Sequence, residues 1–202
     1  MRIGVLGGTF NPPHLGHLIL AQDAFELFDL SQVLFLPCAQ PPHKAAAGLA
    51  AAEHRLAMLE AAIEGDLRFE VSDIELRRGG LSYSVDTARE LKVRYPRAEI
   101  LFIIGSDSLR ELHQWKDIAT LLELCQFVTL IRPGADERAL LAQDLRLPPP
   151  WPDRLRAQIR VGHAVDISST NIRHRLAEAL SIRYLVHPAV EMYITEHRLY
   201  AT

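Results

Sequence analysis

The stretch RIGVLGGTFNPPHLGH, Arg2–His17, decides the fold. An apolar run of strand length ends on Gly7 and Gly8, and a helical pattern opens near Leu15 after a threonine, a phenylalanine and two prolines. A parallel strand running through glycines into a helix gathers unpaired backbone amides and the positive end of the helix dipole at one point. Glycine also lets the chain approach an anion closely. The stretch therefore predicts a phosphate site at a strand-to-helix junction.

Working outward, apolar runs of strand length recur at Arg2–Gly7, Gln32–Pro37, Arg68–Val71, Glu99–Gly105, Gln126–Ile131 and Ile159–Val165. Several are apolar at nearly every position, as expected of strands covered on both faces. Helical spacing fills the gaps: Leu15, Leu18, Ile19, Gln22 and Phe25 form one face, Leu56, Leu59 and Ile63 a second, and Val85, Ala88 and Leu91 a third that stops before Pro96. Strands alternating with helices imply right-handed crossovers. The fold class is α/β, a doubly wound, mostly parallel, Rossmann-like sheet with a small C-terminal helical part. The prolines at 148, 149, 150 and 152 argue against both helix and central strand, so Leu145–Leu155 reads as a surface connection. A last helix starts near Pro188 with Val190, Tyr193 and Ile194 on one side. The organisation reads as a single domain, residues 1–202, with no internal repeat.

With 49% hydrophobic residues the chain has enough apolar side chains to bury a full core. A net charge of −3 points away from a protein that wraps nucleic acid or coats an anionic membrane, so any anion must be met by a local site. The apolar run before Gly7 is too short for a signal-peptide core or a membrane span, which predicts a soluble, cytoplasmic protein. The two cysteines, Cys38 and Cys125, lack ligand-like spacing and read as buried free thiols.

Two familiar phosphate motifs fail here. Gly4, Gly7 and Gly8 do not have the spacing of a dinucleotide fingerprint, and Pro37 and Cys38 stand where an acidic residue should end the second strand. No lysine followed by Ser or Thr opens the helix, which excludes a P-loop. What remains is H-x-G-H, with His14 and His17 on adjoining turns. Imidazoles donate to phosphate oxygens and, when protonated, add charge that stabilises a transition state. A shared zinc and a purely structural pair are the alternatives.

GGTFNPPHLGH resembles the signature of the H-x-G-H nucleotidyltransferases, and the rest of the chain is similar to one branch, the bacterial nicotinate-nucleotide adenylyltransferases. The segments that carry the branch are PPHK (Pro41–Lys44), SYSVDT (Ser82–Thr87) at a helix start, GSD (Gly105–Asp107) at a strand end, the following Trp115, and ISSTNIR (Ile167–Arg173). The resemblance runs from Gly7 to Tyr200. Asn11 stands where many members carry aspartate, and Ser84 where threonine is common.

The resemblance implies adenylyl transfer from ATP to nicotinate mononucleotide, with release of pyrophosphate, in NAD biosynthesis. A phosphate nucleophile is already ionised at neutral pH, so the chain needs donors and cations more than a general base. Gly7, Gly8, Thr9 and Phe10 are then expected to cradle ATP, and His14 and His17 to contact its triphosphate, His17 nearest the α-phosphate. Lys44 is expected to close over the phosphates and Arg173 to hold the pyrophosphate. Ser168, Ser169 and Thr170 offer caps or hydroxyl donors at a second helix start. Gly105 and Asp107 fall to the ATP side, Asp107 accepting from a ribose hydroxyl or the adenylate. Trp115 offers a flat face for the pyridine ring, Thr87 a partner for its carboxylate, and Asn11, Ser82 and Tyr83 complete the mononucleotide group. Mg²⁺ is expected on the phosphate oxygens and no metal in a protein cage.

The remaining candidates have plainer readings. Arg132 either lines the adenine side or caps a turn, and Arg77 and Arg78 before two glycines read as a solvated turn. Arg175 is expected to point away from Arg173, and His163, His187 and His197 form no constellation. The rivals are a phosphopantetheine adenylyltransferase, which shares the start motif, and a non-catalytic nucleotide sensor on the same scaffold.

Overall fold

The computed structural model describes residues 1–41, 48–131 and 137–200. In chain order the elements are β1 (Arg2–Gly8), α1 (Leu15–Leu27), β2 (Gln32–Pro37), α2 (Ala52–Ile63), β3 (Phe69–Val71), α3 (Ile74–Arg78) and α4 (Ser84–Arg94). There follow β4 (Glu99–Gly105), α5 (Ser106–Glu111), a 3-10 turn (Leu112–Gln114), α6 (Ile118–Leu124), β5 (Gln126–Ile131), α7 (Glu137–Ala142), α8 (Trp151–Ala157), β6 (Ile159–Val161), α9 (Ser169–Ala177) and α10 (Pro188–Glu196). The strands form one sheet in the order β3-β2-β1-β4-β5-β6, with β1, β4, β5 and β6 paired in parallel. Strand order reverses at β1, the place where open α/β sheets bind ligands outside the carboxyl ends of their strands.

Two compact units share the chain. The first holds Met1–Leu6, Leu20–Val33 and Tyr83–Val165. Its core is β1 (Ile3, Val5), β4 (Ile100, Leu101, Phe102, Ile103, Ile104) and β5 (Phe127, Val128, Leu130), together with Val85, Ala88 and Leu91 of α4 and Leu121 of α6. Each of these side chains larger than alanine contributes roughly 1.5–3 kcal/mol by leaving water. Gly4 belongs to this packing, since a Cβ there would come within 2.6 Å of Leu30 Cδ1.

The second unit holds Gly7–Ile19, Leu34–Ser82 and the chain from Asp166 on. Its core joins Leu34, Phe35 and Leu36 of β2 to Met58, Leu59, Ala62 and Ile63 of α2, with Ile172 of α9 and Val190 and Ile194 of α10. The Phe35 and Phe69 rings meet edge to face at 5.6 Å. On the surface of this unit His54 Nδ1 lies 3.0 Å from the Tyr193 hydroxyl, and the His197 ring lies tilted beside Tyr193 at 4.1 Å, so His197 does belong to a cluster. His187 caps α10 by accepting from the Ala189 amide.

Four expectations change. The buried side of α1 is Ala21, Asp23 and Ala24, while Gln22 is exposed and Leu15, Leu18, Ile19 and Phe25 are half-buried. Pro152 stands in the first turn of α8, because a proline there lacks only an N–H that the helix would leave unpaired. Arg77 and Arg78 end a short helix, α3, closed by Gly79 at φ 69°. And β6 stops at Val161 instead of running to Val165.

The cause of that early stop is a contact periodicity cannot reveal. The His163 amide donates to Asp23 Oδ2 at 2.7 Å, its ring Nδ1 sits 2.6 Å from Asp23 Oδ1, and a Cβ on Gly162 would strike Oδ2 at 2.6 Å. The buried Asp23 carboxylate thus takes the chain away from the sheet. The hydrogen bond to Asp23, and then the carboxylate's charge, raise the exposed His163 imidazole above its ordinary 6.5. A raised folded-state value stabilises the fold fully below the unfolded value and loses that contribution as pH rises through the folded one. Thermal melts of the parent and His163→Asn should therefore differ most below the ordinary imidazole value of 6.5 and converge as pH rises through the raised folded-state value. A gap that widened with pH would contradict the pairing.

Candidate active site

The glycine loop is held from beneath by its carbonyls. Gly8 O accepts from the Cys38 amide at 2.9 Å, and Thr9 O accepts from Arg55 Nη1 at 2.9 Å. Across a trans peptide the N–H points opposite the C=O, so the Thr9 and Phe10 amides face away from those partners. Gly7 is exposed, and a Cβ built on it would meet nothing within 4 Å. Its missing side chain leaves open space above the loop. Gly8 is glycine for another reason, because a Cβ there would sit 3.2 Å from the Phe10 ring. Phe10 itself is buried with φ 47°, so only its backbone is available to a ligand.

The two histidines stack, ring centroids 3.7 Å apart, and the Phe10 ring meets His17 edge-on at 4.8 Å. Two imidazoles sharing a tetrahedral metal at about 2.0–2.1 Å per nitrogen would hold their centroids roughly 5 Å apart, so this stacked pair is not shaped as a chelate. The His14 amide donates to His17 Nδ1 at 3.2 Å. An amide can only donate, which requires a lone pair on Nδ1 and assigns the ring proton to Nε2. His17 is thereby prepared to donate through Nε2. The first amide of α1 is unavailable for an anion, because Leu15 N already donates to Leu185 O at 3.0 Å.

A second arm comes from α9. The Ser168 hydroxyl caps this helix by accepting from the Asn171 amide at 3.1 Å. Ser169 Oγ donates to Pro12 O at 2.8 Å, and Arg173 Nη1 donates to Asn11 O at 2.9 Å while Nη2 lies 3.4 Å from Thr170 Oγ1. The helix start thus lies directly on the glycine loop. Two segments separated by more than 150 residues of sequence meet in one place, as the first and last motifs required.

Arg55 was invisible to the sequence reading. It is 1% exposed, and it donates from Nε to Ala50 O at 3.0 Å and from Nη1 to both Thr9 O and Cys38 O. The signal available was a charge on an apolar stripe, since Arg55 shares its helix face with Met58, Leu59 and Ala62. Asn11, expected at the mononucleotide, instead spends its amide inside the protein: Oδ1 accepts from Ala50 N and the Tyr200 hydroxyl, and Nδ2 donates to Gly48 O. Ser82 is similarly engaged, its Oγ accepting from the Ala39 amide at 3.0 Å. Burial raises both cysteine thiols, Cys38 against the pull of Arg55 and Cys125 up to about 12, so neither supplies a thiolate.

Thr87, Trp115, Gly105 and Asp107 belong to the first unit. Thr87 is wholly buried with its hydroxyl turned to Tyr83 O at 3.4 Å, so it presents no side-chain surface to a ligand. Trp115 is half-buried, edge-on to Phe127 at 5.8 Å. The next residue, Lys116, places Nζ 4.0 Å over the Tyr83 ring and 3.2 Å from Asp86, which ties the Trp115 segment to the start of α4. Gly105 ends β4 and Asp107 stands exposed in the first turn of α5, 3.9 Å from Arg110. Arg175 turns to Ser181 O, away from Arg173 as expected. Lys44 and Arg132 lie outside the described residues.

Among the described residues no group of three or more His, Cys, Asp or Glu side chains could hold a metal ion, and no helix is long and apolar enough to cross a membrane. A family model described as cytidylyltransferase-like matches residues 5–175. A protein of Opitutus terrae named "Probable nicotinate-nucleotide adenylyltransferase" is 46% identical over 200 residues, covering 99% of this chain and 98% of its own. A protein of the same name from Shouchella clausii is 45% identical over 98% of this chain and 96% of its own. The solved Plasmodium falciparum nicotinic acid mononucleotide adenylyltransferase complexed with NaAD shares the fold, with a TM-score of 0.77 at 19% identity over 98% of this chain and 97% of that one. Identity at this level along the whole chain, on a glycine loop and a late helix that meet as described, assigns the protein to the cytidylyltransferase-like family and, within it, to the nicotinate-nucleotide adenylyltransferases.

Proposed function

We propose that the protein transfers the adenylyl group of ATP to nicotinate mononucleotide, giving nicotinate adenine dinucleotide and pyrophosphate. The observation that carries this reading is the junction of α9 with the glycine loop, Ser169 on Pro12 O and Arg173 on Asn11 O, which joins amides, an imidazole N–H and a guanidinium in one unit. A 5′-phosphate oxygen of the mononucleotide attacks the α-phosphorus in line. The bond from that phosphorus to the β-bridging oxygen breaks, and its electron pair leaves with pyrophosphate. The nucleophile is ionised beforehand, so the protein's work is to position two polyanions and absorb charge on the leaving group.

In this reading the Thr9 and Phe10 amides and the open face of Gly7 receive the triphosphate, and His17 Nε2–H donates nearest the α-phosphate. His14 orients His17 through its amide and its ring. Arg173 keeps donors beyond the one on Asn11 and holds the pyrophosphate; Thr170 steadies its second nitrogen, and Ser168 and Ser169 fix the helix that carries it. Lys44 adds charge to the phosphates. Asp107, in the first turn of α5, accepts from the adenylate ribose, with Gly105 beside it at the end of β4. Trp115 supplies the face for the pyridine ring, with Tyr83 and the α4 backbone, in place of the buried Thr87 hydroxyl, near its carboxylate. Asn11 and Ser82 serve as internal supports. Imidazole and guanidinium offer Mg²⁺ no oxygen ligand, so the ion would be held by the phosphates of ATP and would supply charge screening there.

The test is pyrophosphate release from ATP with nicotinate mononucleotide, its amide counterpart and phosphopantetheine offered in turn. Release that is fastest with the nicotinate acceptor is expected. Preference for phosphopantetheine would assign the other branch, and no release with any acceptor would leave a nucleotide sensor.

A further inference from the structure

Asn11 stands between the two arms of the site and is 6% exposed. Three segments converge on it: the Ala50 amide and the Tyr200 hydroxyl reach Oδ1 at 2.9 and 2.8 Å, Gly48 O takes Nδ2 at 2.8 Å, and Arg173 Nη1 holds its carbonyl at 2.9 Å. Tyr200 lies four residues beyond the end of α10, with its backbone held in the left-handed region at φ 62°. Such a backbone persists only where its surroundings over-determine it. Burial keeps the phenol protonated far above its ordinary range, against the pull of the Arg173 and Arg55 cations. The hydroxyl is thus a permanent donor within electrostatic reach of both guanidiniums, and the reaction as described makes no use of it.

We propose that Tyr200 is a positioning residue for the triphosphate site: its hydroxyl latches the Asn11 side chain, and through Asn11 it fixes the carbonyl on which Arg173 is braced. The inference rests on the phosphate-site reading above. Tyr200→Phe isolates the effect, because the ring stays packed and Asn11 Oδ1 keeps the Ala50 amide, leaving no orphaned acceptor. A small displacement of a bracing group is enough to weaken a polyanion's hold several-fold.

The experiment measures equilibrium ATP binding to four proteins: the parent, Tyr200→Phe, Arg173→Lys and the double variant. Tyr200→Phe should weaken ATP about fivefold with its melting temperature within roughly 3 °C of the parent. In the Arg173→Lys background, where the fork on Asn11 is already lost, the same change should add less than twofold. A merely structural tyrosine would lower the melting temperature and act equally in both backgrounds. Binding unchanged within twofold, or an equal loss with and without Arg173, overturns the proposal. A parent that binds ATP yet releases no pyrophosphate with nicotinate mononucleotide overturns the functional reading and leaves this comparison valid.

Discussion

His17→Ala should slow turnover by about a hundredfold or more while ATP affinity stays within a few-fold of the parent. The expected loss, roughly 3 kcal/mol, is that of one donor aimed at charge that grows only in the transition state. Two contacts prepare the ring for this. The His14 amide on Nδ1 commits the proton to Nε2, and the Phe10 edge holds the ring's tilt. Neither contact depends on the substrate, so orienting the imidazole costs little at the moment of reaction. The measurement is single-turnover pyrophosphate release beside ATP binding on the same preparation. Turnover within a few-fold of the parent would remove His17 from the chemistry; equal losses in turnover and ATP affinity would make it a ground-state contact. A thermal melt accompanies the assay, since the substitution also removes a ring from the Phe10 contact.

Arg55→Leu should cost the fold on the order of 4 kcal/mol, seen as a fall in melting temperature of roughly 10 °C or more. The side chain is buried and its guanidinium binds Ala50 O, Thr9 O and Cys38 O, with Ala39 O at 3.5 Å. Leucine would leave three or more carbonyls without a donor, at about 1–3 kcal/mol each before the structure relaxes. Against a total stability of about 5–15 kcal/mol, that is a large share. Arg55→Lys should recover only part, because one ammonium cannot span carbonyls from three separate segments. Whatever folds should also bind ATP less well, since Thr9 O would no longer hold the loop's amides outward. A variant that melted within a few degrees of the parent would show that the carbonyls find other donors and that Arg55 is dispensable.

Much of this molecule could be read from one stretch and its echoes. Continuous apolar runs announce buried parallel strands because each residue there must satisfy two covered faces, and five of the six strands start and end within a residue or so of the expected positions. The glycine loop was legible for a similar reason, as few other backbones need two adjacent glycines between a strand and a helix. Local chemistry misled where one residue had two uses. Gly8 reads as room for a ligand and is room for Phe10; Thr87 reads as a partner for a carboxylate and is buried; Pro152 reads as a breaker and stands in the first turn of a helix.

The sequence alone determined the α/β class and the glycine-bearing strand-to-helix turn, since these depend on short-range periodicity and on residue types within a few positions of one another. Only the tertiary structure decided that Ser169 and Arg173 lie on the carbonyls of Pro12 and Asn11, that Arg55 supports the loop from below, that Tyr200 closes on Asn11, and that Asp23 ends β6 through His163. Each of these is one hydrogen-bonded contact between residues 46 to 189 positions apart. Such contacts leave no periodic trace along the chain, because the carbonyls they satisfy are common to every residue and only the folded path brings a particular donor to them.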